Sequence, residues 1–262
     1  MCPLTNQLEI ELRQGYSKFP KSNCPISADY FAIAFKITAQ RLASVPNLFF
    51  AMARILITSG PTRQFLDPVR YLTNASSGRM GAALAHAAID AGHEVFVVSG
   101  PVSIEYPAEA QVTWVTTTDE MLTATQEQFE RCDGLIGAAA PCDYMPHFVS
   151  DTKITKSGQP LQLELLETPD IVATVARQKR IDQWVVGFAL ETEDRRFRSI
   201  VKMQKKCCDM MISNGPSAID SEENEVEILA NDGSTIAMVS GIKTKVAATI
   251  IAAVESRFCS RE

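Results

Sequence analysis

Metal-binding spacing is missing from this sequence. Its seven cysteines stand at positions 2, 24, 132, 142, 207, 208 and 259, and none forms a Cys-x-x-Cys pair. The number is odd, Cys207 and Cys208 are adjacent, and the three histidines, His86, His93 and His147, are scattered. This spacing argues against a structural zinc site. Free thiols in a reducing, cytoplasmic compartment are the expectation. A basic surplus is missing too. The formal net charge is -6, which argues against a dedicated nucleic-acid binder but leaves room for a local basic pocket. No unbroken apolar run is long enough for a membrane span. The stretch FAIAFKITAQRLASVPNLFFAMA comes nearest, and Lys36, Arg41 and Pro46 interrupt it. Ala51-Met52-Ala53 imitates a signal-peptidase site, but the leader before it is too long and its apolar part carries charge. There is no repeat and no low-complexity tract.

What is present is ordinary globular composition, 46% hydrophobic and 21% charged. A chain of 262 residues suffices for one large or two small domains with a sizeable core. Residues 1–51 lack clear periodicity and are expected to form a poorly ordered extension, with Met52 a candidate true start. Residues 52–262 are expected to form one domain. RILITSG (54–60), HEVFVVSGP (93–101), QVTWVTT (111–117), DGLIGAAAP (133–141), LQLELLE (161–167), WVVGFALET (184–192) and DMMISN (209–214) read as strands. Helices are expected over 78–92, 119–131, 168–179, 193–206 and 243–258. Gly92 serves as a C-terminal stop, and Thr168 as an N-cap followed by Pro169. Residues 224–240 read as a hairpin turning at Asn-Asp-Gly. Strands alternating with helices predict a three-layer α/β sandwich with a mainly parallel sheet, a C-terminal β-hairpin and a closing helix.

In such sheets ligands bind beyond the carboxyl ends of the strands. The first strand ends at Ser-Gly-Pro-Thr-Arg, and the next helix starts some 17 residues later. A dinucleotide site needs G-x-G-x-x-G tightly joining strand and helix, and an acidic residue after the second strand. Both are missing. The long loop, ending DPVRYLTNASSGRMG (67–81), instead offers Arg63 and Arg70 as planar cations and Asn74 as donor and acceptor. Ser76, Ser77 and Gly78 would leave backbone N–H groups free at a helix start, as an anion site requires. A capped helix with solvated arginines explains this loop, taken alone, equally well. Lys202 and Lys206 share a helix face four residues apart, with Lys205 beside them. Asp143 follows a buried strand and precedes Lys153 and Lys156, a pattern suited to a nucleotide-metal site. The helix start at Pro169, Asp170, Ile171 and Val172 is a second anion candidate, and Phe188 sits at a strand end where an aromatic can stack on a base. Solvated lysines, plain capping and core packing account for each of these singly.

The blocks ILITSGPTRQFLDPVRYLTNASSGRMG, GAAAPCDY, TKITK, TPDIV, VVGFALET and KMQKKCCDMMISN, in this order and spacing, strongly resemble phosphopantothenoylcysteine synthetase over residues 54–258. That family is the synthetase half of a bifunctional coenzyme A biosynthesis protein, or a stand-alone enzyme. The resemblance implies a Rossmann-like sandwich and a carbon–nitrogen ligase. In this family 4'-phosphopantothenate is activated by CTP (ATP in some members) to an acyl-nucleotidylate, and L-cysteine then forms the amide. It implies Mg²⁺, no flavin, a homodimer, and a separate phosphopantothenoylcysteine decarboxylase as functional partner. By family motif, Asn74 contacts the acyl-nucleotidylate and Lys153 serves the nucleotide and the chemistry. Gly137, Ala138, Ala139 and Asp143 line the nucleotide pocket, with Asp143 a metal candidate. Pro169, Asp170, Ile171, Val172 and Phe188 lie near the nucleotide, and Lys202 and Lys206 grip the triphosphate. Arg63, Arg70, Ser76, Ser77 and Gly78 support the substrate, while Asp209 and Asn214 are structural. The family's A-A-V-A-D and K-N-L-D read A-A-A-P-C-D and K-C-C-D here, which puts Pro141 and Cys142 beside the pocket. A dinucleotide-dependent reductase and a non-catalytic nucleotide-binding paralogue are the competing readings.

Overall fold

The computed structural model describes residues 51–215 and 223–260; all but the last residue of the expected N-terminal extension lies outside them. An eight-stranded sheet forms the centre. Strands β1 (Arg54–Ser59), β4 (Glu94–Ser99), β5 (Gln111–Trp114), β6 (Gly134–Gly137), β9 (Trp184–Leu190) and β10 (Met210–Asn214) run parallel in the spatial order β5-β4-β1-β6-β9-β10. Counting these alone, the order is 3-2-1-4-5-6, which defines a doubly wound sheet with its switch point between β1 and β6. The hairpin of β11 (Glu223–Ala230) and β12 (Thr235–Ile242) extends the sheet antiparallel beyond β10.

The parallel strands form because they are buried on both faces, so apolar runs such as Ile55-Leu56-Ile57 find a core on either side. One face packs α1 (Arg79–Asp90) and α5 (Lys243–Val254) over Ile55, Ile57, Val95 and Val97. The other carries α2 (Thr118–Phe129), α3 (Ile171–Gln178) and α4 (Arg195–Lys206) over Leu56, Phe96, Val98 and Leu135. The expected three-layer architecture is therefore present.

Several local expectations are corrected. The long loop after β1 contains a small hairpin, β2 (Arg63–Phe65) with β3 (Tyr71–Thr73). Its turn is organised by the fully buried Asp67, whose carboxylate accepts the N–H groups of Val69 and Arg70, both at 2.8 Å. The alternation over 161–167 yields only the three-residue β8 (Leu165–Glu167), paired with β7 (Tyr144–Pro146) away from the main sheet. Thr117, expected as strand, is the N-cap of α2 in a reciprocal capping box with Glu120. Asp170, not Thr168, caps α3. Thr168 is held elsewhere, its hydroxyl donating to the Cys142 carbonyl at 2.6 Å and its N–H to the Asp143 carbonyl at 2.9 Å. The closing helix changes to a π-helical turn over Glu255–Cys259, where Phe258 stacks on Trp184 with centroids 5.2 Å apart. The N–H of Ala51, immediately before Met52, donates to the Cys259 carbonyl.

Burial divides the described cysteines. Cys132, Cys142, Cys208 and Cys259 are buried and free, whereas Cys207 is exposed. Burial pushes the thiols of Cys132 and Cys208 up to about 12 and that of Cys259 to about 11, and it raises Cys142 as well. A thiolate is the reactive species. Brief native treatment with iodoacetamide, read by peptide mass spectrometry, is therefore expected to alkylate Cys207 well before its neighbour Cys208. Equal rates for the pair would contradict this packing.

Candidate active site

Two clefts open at the carboxyl ends of the parallel strands, on opposite sides of one short wall. The wall is the segment that leaves β6, Ala139 to Asp143, together with Phe188 of β9; Ala139, Pro141, Asp143 and Phe188 line both clefts. Isolated pairing of Pro61 with Ala140 continues the sheet one step past β6, and the Ala140 N–H donates to the Gly60 carbonyl at 2.9 Å. The wall is thus an extension of the switch point itself.

The first cleft, of about 410 Å³, lies on the α3 and α4 side. Gly137, the Thr168–Thr174 helix start, Arg177, Lys205 and Lys206 complete it. Gly137 lets α3 approach closely, because a Cβ there would fall 2.5 Å from Val172 Cγ2 and push that side chain aside. Asp170 accepts the Ala173 N–H at 3.0 Å and pairs with the Lys206 ammonium at 3.1 Å. One carboxylate therefore fixes both the helix start and the nearest cation.

The second cleft, of about 520 Å³, lies on the α1 side. Asn74, Ser76, Ser77 and Gly78 form its near rim, and Lys202, Asn214, Asn224 and Lys243 its far end. Gly78 adopts φ 75° with no side-chain cap on α1, so the first turn of that helix presents backbone N–H groups to the cleft. Asn74 Nδ2 donates to the Pro141 carbonyl at 2.8 Å and to that of Ala140 at 3.4 Å, which bolts the rim loop to the wall. Lys202 is anchored by the buried Glu191, 2.5 Å away.

Most of the residues singled out in the sequence therefore converge. Gly137, Ala139, Asp143, Pro169, Asp170, Ile171, Val172, Phe188 and Lys206 meet in the first cleft. Asn74, Ser76, Ser77, Gly78, Ala138 and Lys202 meet in the second. Lys202 and Lys206, neighbours on one helix face, thus address different clefts.

Arg63, Arg70 and Lys153 line neither cleft. The Arg63 guanidinium lies over the Tyr71 ring, 4.5 Å from its centroid. Arg70 pairs with Asp67 at 3.3 Å and donates to the Ile154 carbonyl at 2.8 Å, while the Ile154 N–H donates to Asp67 at 3.1 Å. Burial works against ionising Asp67, but these backbone donors and Arg70 outweigh it and hold the carboxyl below its usual range. Together they grip the backbone next to Lys153, which is itself exposed. Sequence reading did not find Asp67, Glu191 or Asn224. Asp67 and Glu191 matter through tertiary partners, Ile154 and Lys202, and Asn224 through its place on the hairpin at the far end of the cleft.

Among the described residues no cluster of three or more His, Cys, Asp or Glu could hold a metal ion. A magnesium ion carried by a nucleotide needs only one or two protein carboxylates beside the phosphates, and Asp143 at the junction of both clefts fits that requirement. No described helix is long and apolar enough to cross a membrane.

A doubly wound sheet with its clefts at the switch point, and without the dinucleotide fingerprint, defines an α/β domain of the Rossmann class. Residues 50–258 match the family described as DNA/pantothenate metabolism flavoprotein C-terminal domain, and the chain belongs to that family. The resemblance drawn from its motif blocks is borne out at this level. The chain is 39% identical over 189 residues to the coenzyme A biosynthesis bifunctional protein CoaBC of Escherichia coli, covering 70% of this chain and 47% of that protein. It is 38% identical over 203 residues to a cysteine/cysteine sulfinic acid decarboxylase from an unknown prokaryotic organism, covering 76% and 56% respectively. The solved C-terminal domain of a CoaBC protein superposes with a TM-score of 0.67 at 34% identity, covering 78% of this chain and 94% of that one. The chain spans about half the length of the curated relatives it matches.

Proposed function

We propose that the chain is a phosphopantothenate–cysteine ligase of coenzyme A biosynthesis. The observation that carries this reading is the shared wall. Two clefts of ligand size meet back to back at Ala139, Pro141, Asp143 and Phe188, so a bound nucleotide and a bound acid come together there. CTP takes the first cleft, with its base against the small residues of β6 and Phe188. 4'-Phosphopantothenate takes the second, along the Asn74–Gly78 rim.

A carboxylate oxygen attacks the α-phosphorus, the bond to the bridging oxygen breaks, and pyrophosphate leaves. The amine of L-cysteine then attacks the acyl carbon, loses a proton, and expels CMP. No protein nucleophile is required, because orienting two anions and neutralising their charge supplies the rate. Lys202 and Lys206 neutralise phosphate from the two sides of the wall, Asn74 holds the acyl carbonyl and phosphate region, and Asp143 would hold Mg²⁺, which would supply charge screening for the triphosphate. Lys153 contacts the nucleotide once the arm that carries it, the segment from β7 to β8 (residues 144–167), closes toward a cleft.

That arm exposes Phe148, Leu161, Leu165 and Leu166, and an apolar patch of this kind supports a homodimer. A separate phosphopantothenoylcysteine decarboxylase would consume the product.

The deciding assay mixes the protein with Mg²⁺, CTP, phosphopantothenate and cysteine and follows pyrophosphate. Release that depends on phosphopantothenate is expected, and release indifferent to its omission would sink the ligase reading. A parallel arm measures CO₂ from cysteine and cysteine sulfinic acid, following the name of the decarboxylase relative. CO₂ without pyrophosphate would replace the ligase reading with a decarboxylase. ATP in place of CTP decides the nucleotide. Lys206→Gln is expected to raise the nucleotide KM about tenfold to a hundredfold with kcat little changed, since a charge-assisted contact contributes about 1.5–3 kcal/mol. An unchanged KM would remove Lys206 from the phosphate path.

A further inference from the structure

The wall between the clefts has no regular strand or helix of its own beyond the Pro61–Ala140 pairing, yet it carries Pro141 and Asp143 into both clefts. Cys142, between them, turns its side chain into the core and is only 6% exposed. What holds its backbone is a closed ring of hydrogen bonds. The Cys142 N–H donates to Thr62 Oγ1 at 2.8 Å. Thr62 and Thr118 hydroxyls are 2.8 Å apart, and Thr118 Oγ1 donates to the Cys142 carbonyl at 3.3 Å. A hydroxyl has one proton. Since Thr118 gives its proton to Cys142, Thr62 must be the donor to Thr118. The circuit therefore runs in one direction, from Cys142 N–H through Thr62 and Thr118 back to the Cys142 carbonyl. Thr62 and Thr118 are both fully buried.

Each threonine belongs to a different part of the frame. Thr62 follows the β1 turn, and its carbonyl accepts the Thr73 hydroxyl at 2.8 Å, just before Asn74. Thr118 is the first residue of α2. Thr168, ahead of α3, adds a second donor to the same Cys142 carbonyl. A directional ring of buried bonds polarises its members cooperatively, and opening it leaves buried polar groups unpartnered.

We propose that the Thr62–Thr118 ring is the positioning device of the shared wall, setting Asp143 and Pro141 at the distance that lets the reactants in the two clefts meet. Neither threonine lines a cleft, so both act through the wall and are positioning residues. This rests on the ligase reading above.

The test compares variants that differ by the hydroxyl alone. Thr62→Val and Thr118→Val, as folded full-length protein, are expected to lower kcat in the pyrophosphate assay by about tenfold to a hundredfold, the usual cost of displacing reacting groups by a fraction of an ångström to one. The nucleotide KM is expected to stay within about threefold, because the ring bears on alignment rather than on binding. Thr62→Ser and Thr118→Ser keep the hydroxyl and are expected to stay within about threefold of the parent kcat. The double valine variant is expected to be little worse than the poorer single one, since one break already opens the ring. Where a valine variant does not fold, the Thr→Ala and Thr→Ser pair, which also differ by one hydroxyl, replaces it. Folded valine or alanine variants with parent kcat would overturn the proposal. Serine variants as poor as valine, or single losses that multiply in the double variant, would do the same. Amide hydrogen exchange at Cys142, whose N–H donates to Thr62, separates this from the ligase reading. Protection lost in Thr62→Val and kept in Thr62→Ser supports the ring even if no pyrophosphate is released. Protection unchanged in both refutes the ring whatever the activity.

Discussion

Replacing Asn74 with alanine is expected to lower turnover about a hundredfold, the scale that follows when reacting groups are held about 1 Å out of place. Nucleotide KM should change by no more than about threefold. Asn74 lies on the rim of the second cleft and not in the first, so the nucleotide's own contacts survive its loss. Two separate effects then reinforce each other. The amide Nδ2 ties the rim to the wall through the Pro141 and Ala140 carbonyls, and on the ligase reading the same side chain faces the acyl carbon. Asn74→Asp removes the donors while keeping the shape. Aspartate is close in shape but presents only acceptors to those carbonyls when ionised, so it should be at least as damaging as alanine. Steady-state pyrophosphate release with a single-turnover burst measures both. A variant with near-parent kcat would take Asn74 out of the chemistry, and an active Asn74→Asp would show that its donors are not what matters.

The architecture was legible because its cause is local. Each parallel strand except the edge strand β5 is buried on both faces, so it appears as a short apolar run, and the helices between them carry one apolar face. Alternation of strands and helices predicts a mainly parallel sheet with helices on both faces, but the strand order comes from the structure. The ends of elements were less legible. Thr117 and Thr168 look alike beside their helices, yet Thr117 caps α2 while Thr168 is drawn to the Cys142 carbonyl. The Thr-x-x-Glu spacing to Glu120 marks the first as a cap, while the diversion of Thr168 is set by tertiary structure. The β2–β3 hairpin escaped notice because three-residue strands with polar members leave no period to count.

The candidate site divides in the same way. Residues that act through their own backbone, such as Gly78 and Gly137, stand where their glycine identity suggested. Charged residues were harder, because a charge does not reveal its partner. Lys202 and Lys206 looked like one basic face, but Glu191 and Asp170 hold them toward different clefts. Arg63 and Arg70 looked like substrate donors. The geometry gives Arg63 to the Tyr71 ring and Arg70 to Asp67 and Ile154. Both arginines thus organise the hairpin, and Arg70 also grips the irregular backbone beside Lys153.

Gly100→Ala is expected to be the most damaging single-methyl change in the described fold. The sequence ends two adjacent strands with the same tripeptide, Ser59-Gly60-Pro61 and Ser99-Gly100-Pro101, and Ser59 sits opposite Ser99 in the parallel register. The two turns lie against each other: the Gly100 N–H donates to the Ser59 carbonyl at 3.0 Å. A Cβ on Gly100 would fall 1.6 Å from the Pro61 carbonyl oxygen and 2.7 Å from its carbon. These are backbone atoms, so no rotamer relieves the clash and the chain itself must move. Pro61 pairs with Ala140 and precedes Thr62, so movement there travels directly into the wall between the clefts. Overpacking of this kind costs about 3 kcal/mol or more where nothing can yield, which for a domain of this size lowers Tm by about 6–12 °C. Gly92→Ala is the control. Gly92 has φ 87° but nothing within 4 Å of a Cβ, so alanine there meets only backbone strain of about 1–2 kcal/mol. Thermal melts of the two variants, with pyrophosphate release from the folded fraction, test the argument. Gly100→Ala should melt lower than Gly92→Ala and lose activity even below its Tm, whereas Gly92→Ala should keep its turnover. Equal melting temperatures with parent activity in both would mean that the paired turns are not the rigid seat from which the wall is built.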